Sequence, residues 1–283
     1  MTTEDSPVWL PVFVTEFVVI SIINAITIAA FARIRHLRKH STYLVINLTV
    51  ADLLVGAVAG PLLVFHKHEE SDGVTLPRLI LLAIGTNFLI ASQVNLSLIS
   101  LERLHATLFP FRHCLIRKWL YFKIIVGSWL VSFLIAIVLH ILPRGALPYV
   151  WASFSTVTLL VLAVCYIIII VNVQRSHRSE HHGLIHTERK LSVTLLMVTG
   201  VSVLTILPLA VYKSIPIDPQ KKSSNTSGVD MDVVLFVIYL ASCIVNPLVY
   251  AIRMQGFRKA IRNLACKSTE PTRVNHLQPH TMP

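Results

Sequence analysis

The sequence predicts an all-α membrane protein: a seven-transmembrane helix bundle followed by a short amphipathic eighth helix. Three observations carry this. Hydrophobic residues make up 54% of the 283 positions, charged residues 14%, and the mean hydropathy is +0.68, a balance that excludes a disordered chain and is foreign to an ordinary soluble globule. Apolar runs fall at 8–33, 42–65, 77–105, 119–142, 149–173, 190–212 and 231–252. Each is about 20 residues or longer, enough at ~1.5 Å per residue to cross a ~30 Å hydrocarbon layer. Finally, 19 of the 25 Lys and Arg residues lie at span ends and loops that share a side with segment 33–41. The other side holds Lys67, Arg78, Arg144, Lys213, Lys221 and Lys222.

That partition sets the orientation, because loops rich in Lys and Arg stay in the cytoplasm. The tail at 1–9, with Glu4 and Asp5 but no Lys or Arg, is therefore expected outside a plasma membrane, and the C-terminus inside. The net charge of +11 then reads as this bias plus attraction to anionic membrane lipid, not as nucleic-acid binding. The first run has no basic region before it and is long enough to span, so it reads as an uncleaved helix.

Within the transmembrane domain, 10–254, the polar residues are the informative ones. A carboxylate or an Asn-Pro pair inside hydrocarbon is costly and usually faces the bundle interior. Span one carries Asn24 and span two Asp52. Span three is the least apolar, with Asn87, Ser92, Gln93 and Asn95, and closes on Glu102-Arg103. Span four carries Trp129 and joins span five through the turn at Pro143–Pro148. Span six holds Pro208, and span seven Asn246-Pro247-Leu248-Val249-Tyr250. At helical rise, Asp52 stands about 15 Å above Thr42 and Ser92 about 16 Å above Arg103. Together with Asn24, Ser242 and Asn246 they can form one polar layer near mid-membrane.

Beyond the last span, 255–266 reads as an interfacial helix, with Phe257, Ile261 and Leu264 on one face and Arg258, Lys259 and Arg262 on the other. Cys266 at its end is a candidate lipidation site, and 267–283 reads as a disordered tail. None of the four cysteines, Cys114, Cys165, Cys243 and Cys266, falls in an outer loop, so no exofacial disulfide is expected. Among the sequons, Asn47 and Asn95 lie inside spans, while Asn225 is exofacial and a candidate for glycosylation. His177, His181, His182 and His186 have metal-like spacing but no cysteine or carboxylate companions, and are not read as a metal site. No catalytic motif is found, so neither an enzyme nor a bound cofactor is expected.

These motifs, in these spans and this order, resemble those of the rhodopsin-like (class A) G-protein-coupled receptors over residues 10–266. The resemblance implies an extracellular small-molecule, lipid-like or peptide ligand and a heterotrimeric G protein on the cytoplasmic face. It implies an allosteric sodium ion held by Asp52, Ser92, Ser242 and Asn246. It casts Arg103 as a charge tied to Glu102 and Glu188, Pro208 as a kink, and Tyr166 and Tyr250 as tyrosines that meet on activation. Asn246 and Pro247 belong to the same machinery, Trp129 matches the family's span-four tryptophan, and Leu96 and Val198 form an apolar barrier.

The departures are equally specific. Arg78 replaces the family's span-three cysteine, Thr158 stands near the usual span-five proline, Ile206 replaces the span-six tryptophan, and Ser202 an aromatic below it. Together they resemble the melanocortin, lysophospholipid, cannabinoid and adenosine receptor group. Gly85, where aminergic receptors have an aspartate, argues against a monoamine, and a span seven without lysine argues against retinal. Candidate ligand-facing residues are Glu16, Thr86, Asn87, His140, Tyr212, Lys213 and Asp232. The competing class is a seven-helix transporter or channel, against which stands the lack of an inverted repeat.

Overall fold

The computed structural model describes residues 9–33, 42–68, 76–143, 147–176, 200–213, 231–253 and 257–258. Among these the chain is helical throughout, without strands. The helices are α1 (Trp9–Arg33), α2 (Thr42–Leu54), α3 (Gly60–His68), α4 (Leu76–Leu108), α5 (Pro110–Cys114), α6 (Lys118–Ile141), α7 (Leu147–Ser176), α8 (Gly200–Lys213), α9 (Met231–Leu240) and α10 (Ser242–Arg253). Six segments are long and apolar enough to cross a membrane, and α8 is a shorter apolar helix at the place of span six.

The bundle is built inside out compared with a soluble protein. On α1 the buried face is Phe17, Ile20, Asn24, Thr27 and Phe31, whereas Val18, Ile22 and Ile26 are exposed. Both stripes have helical period; the buried one gathers Asn24 and Thr27 with Phe17, Ile20 and Phe31, and the exposed one is largely aliphatic. Hydrocarbon rewards that arrangement, since an outward amide would lose its hydrogen bonds to lipid. α4 is the central helix, packed against α2, α6 and α7, and α1 closes the ring between α2 and α10.

Span two is broken in a way the apolar run did not foretell. α2 and α3 are joined by a π-helical turn, Val55–Ala59, closed by the Gly60 N–H donating to the Val55 carbonyl. Pro61 follows; it has no N–H and its ring presses on the carbonyl four residues back, and a widened turn relieves both problems. The same stretch lies hard against α1. A Cβ on Gly60 would meet the Phe17 ring, and one on Gly56 would come within 2.6 Å of Ser21 Oγ, so glycine at these positions is a packing requirement.

Span seven is likewise two helices, α9 and α10, hinged at Ala241, where the Ile244 N–H bonds to the Ala241 carbonyl at 3.0 Å. Span three runs beyond its apolar stretch to Leu108, and a short helix, α5, follows that the sequence pattern did not mark. Of the expected interfacial helix, Phe257 and Arg258 are described; Phe257 is buried with its ring 5.3 Å from that of Phe31. The rest of 255–266, with Cys266, and also Asn225, Glu188, Val198, the four clustered histidines and both tails, lie outside the described residues.

Candidate functional site

Asp52 is fully buried, and both of its carboxylate oxygens are engaged by other spans. Ser92 Oγ on α4 donates to Oδ1 at 2.5 Å, and Asn246 Nδ2 on α10 donates to Oδ2 at 2.8 Å. The Cys243 thiol is also directed at this carboxylate. Pro247 explains the outer edge of the cluster. Without a proline N–H, the Cys243 carbonyl four residues back loses its helical donor, and Asn24 Nδ2 from α1 supplies one at 3.2 Å while also bonding the Ile20 carbonyl at 2.9 Å. Spans one, two, three and seven are thus joined at one level, as the spacing of Asn24, Asp52, Ser92 and Asn246 anticipates. Ser242 is buried beside Cys243. The side-chain oxygens of Asn24 and Asn246 are buried without partners, so carboxylate, hydroxyl and amide oxygens gather here, the donor set a hard cation takes.

A second buried cluster joins spans two, three and four. Asn47 Nδ2 donates to Asn95 Oδ1 at 2.6 Å, Trp129 Nε1 donates to Asn47 Oδ1 at 3.0 Å, and Asn95 Nδ2 returns to the Ala91 carbonyl at 2.8 Å. Trp129 is therefore a hydrogen-bond donor as well as a packing group. Asn95 stands out in the sequence as a polar residue of span three, but its pairing with Asn47 does not; an asparagine pair in two spans is itself the signal, because each must find a partner or pay for its burial.

At the far end of α4, Arg103 is only 2% exposed. Its Nε lies 2.7 Å from Glu102 Oε2 as an ion-pair contact, and its Nη2 donates to Glu102 Oε1 at 3.2 Å. The same Oε1 meets His113 Nε2 at 2.8 Å and accepts from the Tyr121 hydroxyl at 3.1 Å, and Tyr121 and His113 are 3.3 Å apart. One carboxylate therefore fixes Arg103, the α5 helix and the start of α6 together. Tyr121 and His113 were not anticipated, because nothing in their own neighbourhood of the sequence marks them; α5 brings them round. Glu188 lies outside the described residues, and Arg103 Nη1 has no partner among them.

The proposed tyrosine pair is apart. Tyr166 leans on α8, where its ring lies 3.7 Å from the Cβ position of Gly200, and Tyr250 is buried against Phe31 at 6.1 Å with its hydroxyl unpartnered. Pro208 lies half-buried in α8, Pro247 is buried, and Leu96 is buried in the main apolar core.

The candidate ligand-facing residues are spread over several interfaces. Lys213 Nζ is 2.7 Å from Asp232 Oδ1, tying α8 to α9, and 6.0 Å above the Tyr212 ring. Asn87 on α4 is buried, and its Oδ1 has no partner among the described residues. His140 bonds the Ala136 carbonyl of its own helix at 2.8 Å, Thr86 is half-buried, and Glu16 on α1 has a buried Oε2 without a partner. Of the seven, Lys213 and Asp232 are brought together by an ion pair, with Tyr212 beside Lys213.

The chain matches the family model described as 7 transmembrane receptor (rhodopsin family), over residues 23–147 and 143–250. Asn24, Asp52, Ser92, Arg103 and Asn246 all fall inside the matched ranges. A search among curated proteins returned no significant match.

Proposed function

Because the chain belongs to the rhodopsin family of seven-transmembrane receptors, we propose that it transmits the binding of an extracellular small-molecule, lipid-like or peptide ligand to a heterotrimeric G protein. The observation that carries this reading is the buried pair of charged centres on one axis of the bundle. Asp52 is held by spans three and seven, and Arg103 by Glu102 at the end that bears most of the basic residues. In this reading the N-terminus is outside a plasma membrane and Arg103 faces the cytoplasm, as the Lys and Arg partition requires.

Both centres are expensive, and both are built from contacts that can be exchanged. The Asp52 cluster joins the α10 half of span seven to spans two and three. Asp52, Ser92, Ser242 and Asn246 would hold a sodium ion there, and it would supply the charge compensation that one buried carboxylate lacks. Such an ion favours the conformation that gathers those oxygens, and so opposes any ligand that prefers another. At the cytoplasmic end, releasing Arg103 from Glu102 and from Glu188 would free span six to move about Pro208 and open a cavity for the G protein. The test is guanine-nucleotide exchange by purified G proteins with the receptor in lipid nanodiscs, screened against candidate ligands. Solute or ion flux without exchange would favour the seven-helix transporter instead.

A further inference from the structure

A row of aromatic rings crosses the outer half of the bundle. Phe17 and Phe13 on α1, Phe236 and Tyr239 on α9, and Trp151 and Phe154 on α7 follow one another with centroid separations of 6.0–6.4 Å. The contact that closes it is Trp151 edge-on to Tyr239, 6.2 Å between centroids and 67° between planes. It joins span five to span seven. Trp151 packs against both apolar cores, while Tyr239 is 3% exposed.

Gln93 on α4 is 3% exposed with neither amide atom hydrogen-bonded. A buried amide without partners is costly, so the packing holds this glutamine in an arrangement from which a small shift gains hydrogen bonds. One turn below Tyr239 is Cys243, whose thiol faces Asp52. Span seven is hinged between them, at Ala241. Ile206 is buried in this same core and is aliphatic, so the ring that can register an arriving ligand must come from elsewhere.

We propose that Trp151 is a built-in occupant of the ligand site, and that its contact with Tyr239 is the sensing element of this receptor. A ligand carrying an uncharged aromatic ring displaces Trp151 from Tyr239. Tyr239 then shifts against Gln93 and, through the hinge, moves Cys243 relative to Asp52. The ligand is uncharged because, among the described residues, the cation nearest this end of α8 and α9, Lys213, is already paired with Asp232. Glu16 lies on α1, beside the Phe17 end of the row and four ring contacts from Trp151. This inference rests on the receptor reading above.

Trp151→Ala provides the test, because it leaves a cavity of indole size and apolar cavities of that kind take up small aromatic molecules. Two readouts are followed in nanodiscs, with indole as the probe: alkylation of Cys243 by N-ethylmaleimide, with Cys114, Cys165 and Cys266 replaced by alanine, and nucleotide exchange on the G protein. Trp151→Ala is expected to change both by about fivefold, the population shift that loss of one aromatic pair produces. Indole reverses both, whereas tryptamine and indole-3-acetate, which add a charge to the same ring, bind at least severalfold more weakly. Trp151→Leu serves if the alanine variant does not fold. The proposal is overturned if indole raises the melting temperature of Trp151→Ala yet leaves Cys243 alkylation unchanged, or if indole does not bind. If alkylation responds while no form drives exchange, the Trp151–Tyr239 coupling stands and the G-protein reading fails.

Discussion

Asn246 donates to the Asp52 carboxylate at 2.8 Å across 194 positions of the chain. Pro247 beside it has no N–H to give the helix. The Cys243 carbonyl freed by that proline is taken by Asn24, which locks span one to the same level. An Asn-Pro pair is therefore more than a helix defect here; it presents two hydrogen-bonding groups to the bundle at once.

Asp52→Asn should remove the sodium dependence of the protein while leaving it folded. The amide replaces the carboxylate with nearly the same shape, but it cannot balance a cation. Wild-type receptor in sodium should melt several degrees above the same protein in choline, as expected when an ion binds the native state selectively. Agonist affinity should fall as sodium rises. Equal melting temperatures in the two salts for the wild type would make the cluster purely structural.

How far the site was legible follows from what kind of signal each residue carries. Asp52, Ser92 and Asn246 stand out because hydrocarbon makes a polar residue conspicuous, and helical rise alone puts them at one height. Azimuth is harder. Asn87 is expected to face a ligand and is buried with its Oδ1 unpartnered among the described residues, but helical rise alone does not say which inward side it takes. His113 and Tyr121 were invisible because their partner, Glu102, is reached only after α5 turns the chain back. The π turn before Gly60 depends on Pro61 and on the closeness of α1, and the second of these is not in the local sequence at all.

Gly60→Ala should be more damaging than a helix-interior glycine suggests. Helix propensity favours alanine by about 1 kcal/mol, but the new methyl would enter the Phe17 ring, and overpacking of this sort costs about 1–3 kcal/mol. A lowered melting temperature, largely restored in Gly60→Ala/Phe17→Leu, is the expected pattern. Additive effects in the double variant would place the cost elsewhere.

Trp129→Phe keeps an aromatic ring in span four and removes only the donor to Asn47. The variant should lose about 1–3 kcal/mol, the cost of leaving a buried amide oxygen unmatched. In an Asn47→Leu background the same substitution should be nearly neutral. A full additional loss there would mean that Trp129 acts by packing alone.

A membrane-impermeant reductant should leave surface expression, stability and ligand affinity unchanged. Cys165 and Cys243 are both buried and free, and the expected topology puts no cysteine in an outer loop. Loss of binding on exofacial reduction, reproduced by Cys114→Ser, would show the topology to be wrong.

Glu188 is the remaining untested partner of Arg103. Glu188→Ala should raise basal exchange severalfold, since it removes one of the two carboxylates the family resemblance assigns to the buried Arg103. Unchanged basal exchange in a normally expressed variant would leave Glu102 as the whole restraint.

The most direct measurement of the central claim compares Glu102→Gln with Glu102→Gln/Arg103→Leu in nucleotide exchange on purified heterotrimeric G proteins. Removing the carboxylate that holds Arg103 at 2.7 Å should accelerate exchange severalfold over wild type, and the added loss of Arg103 should return it to the rate of the G protein alone. Rates indistinguishable from G protein alone for wild type and Glu102→Gln, across every G-protein family and in well-folded protein, would contradict the account.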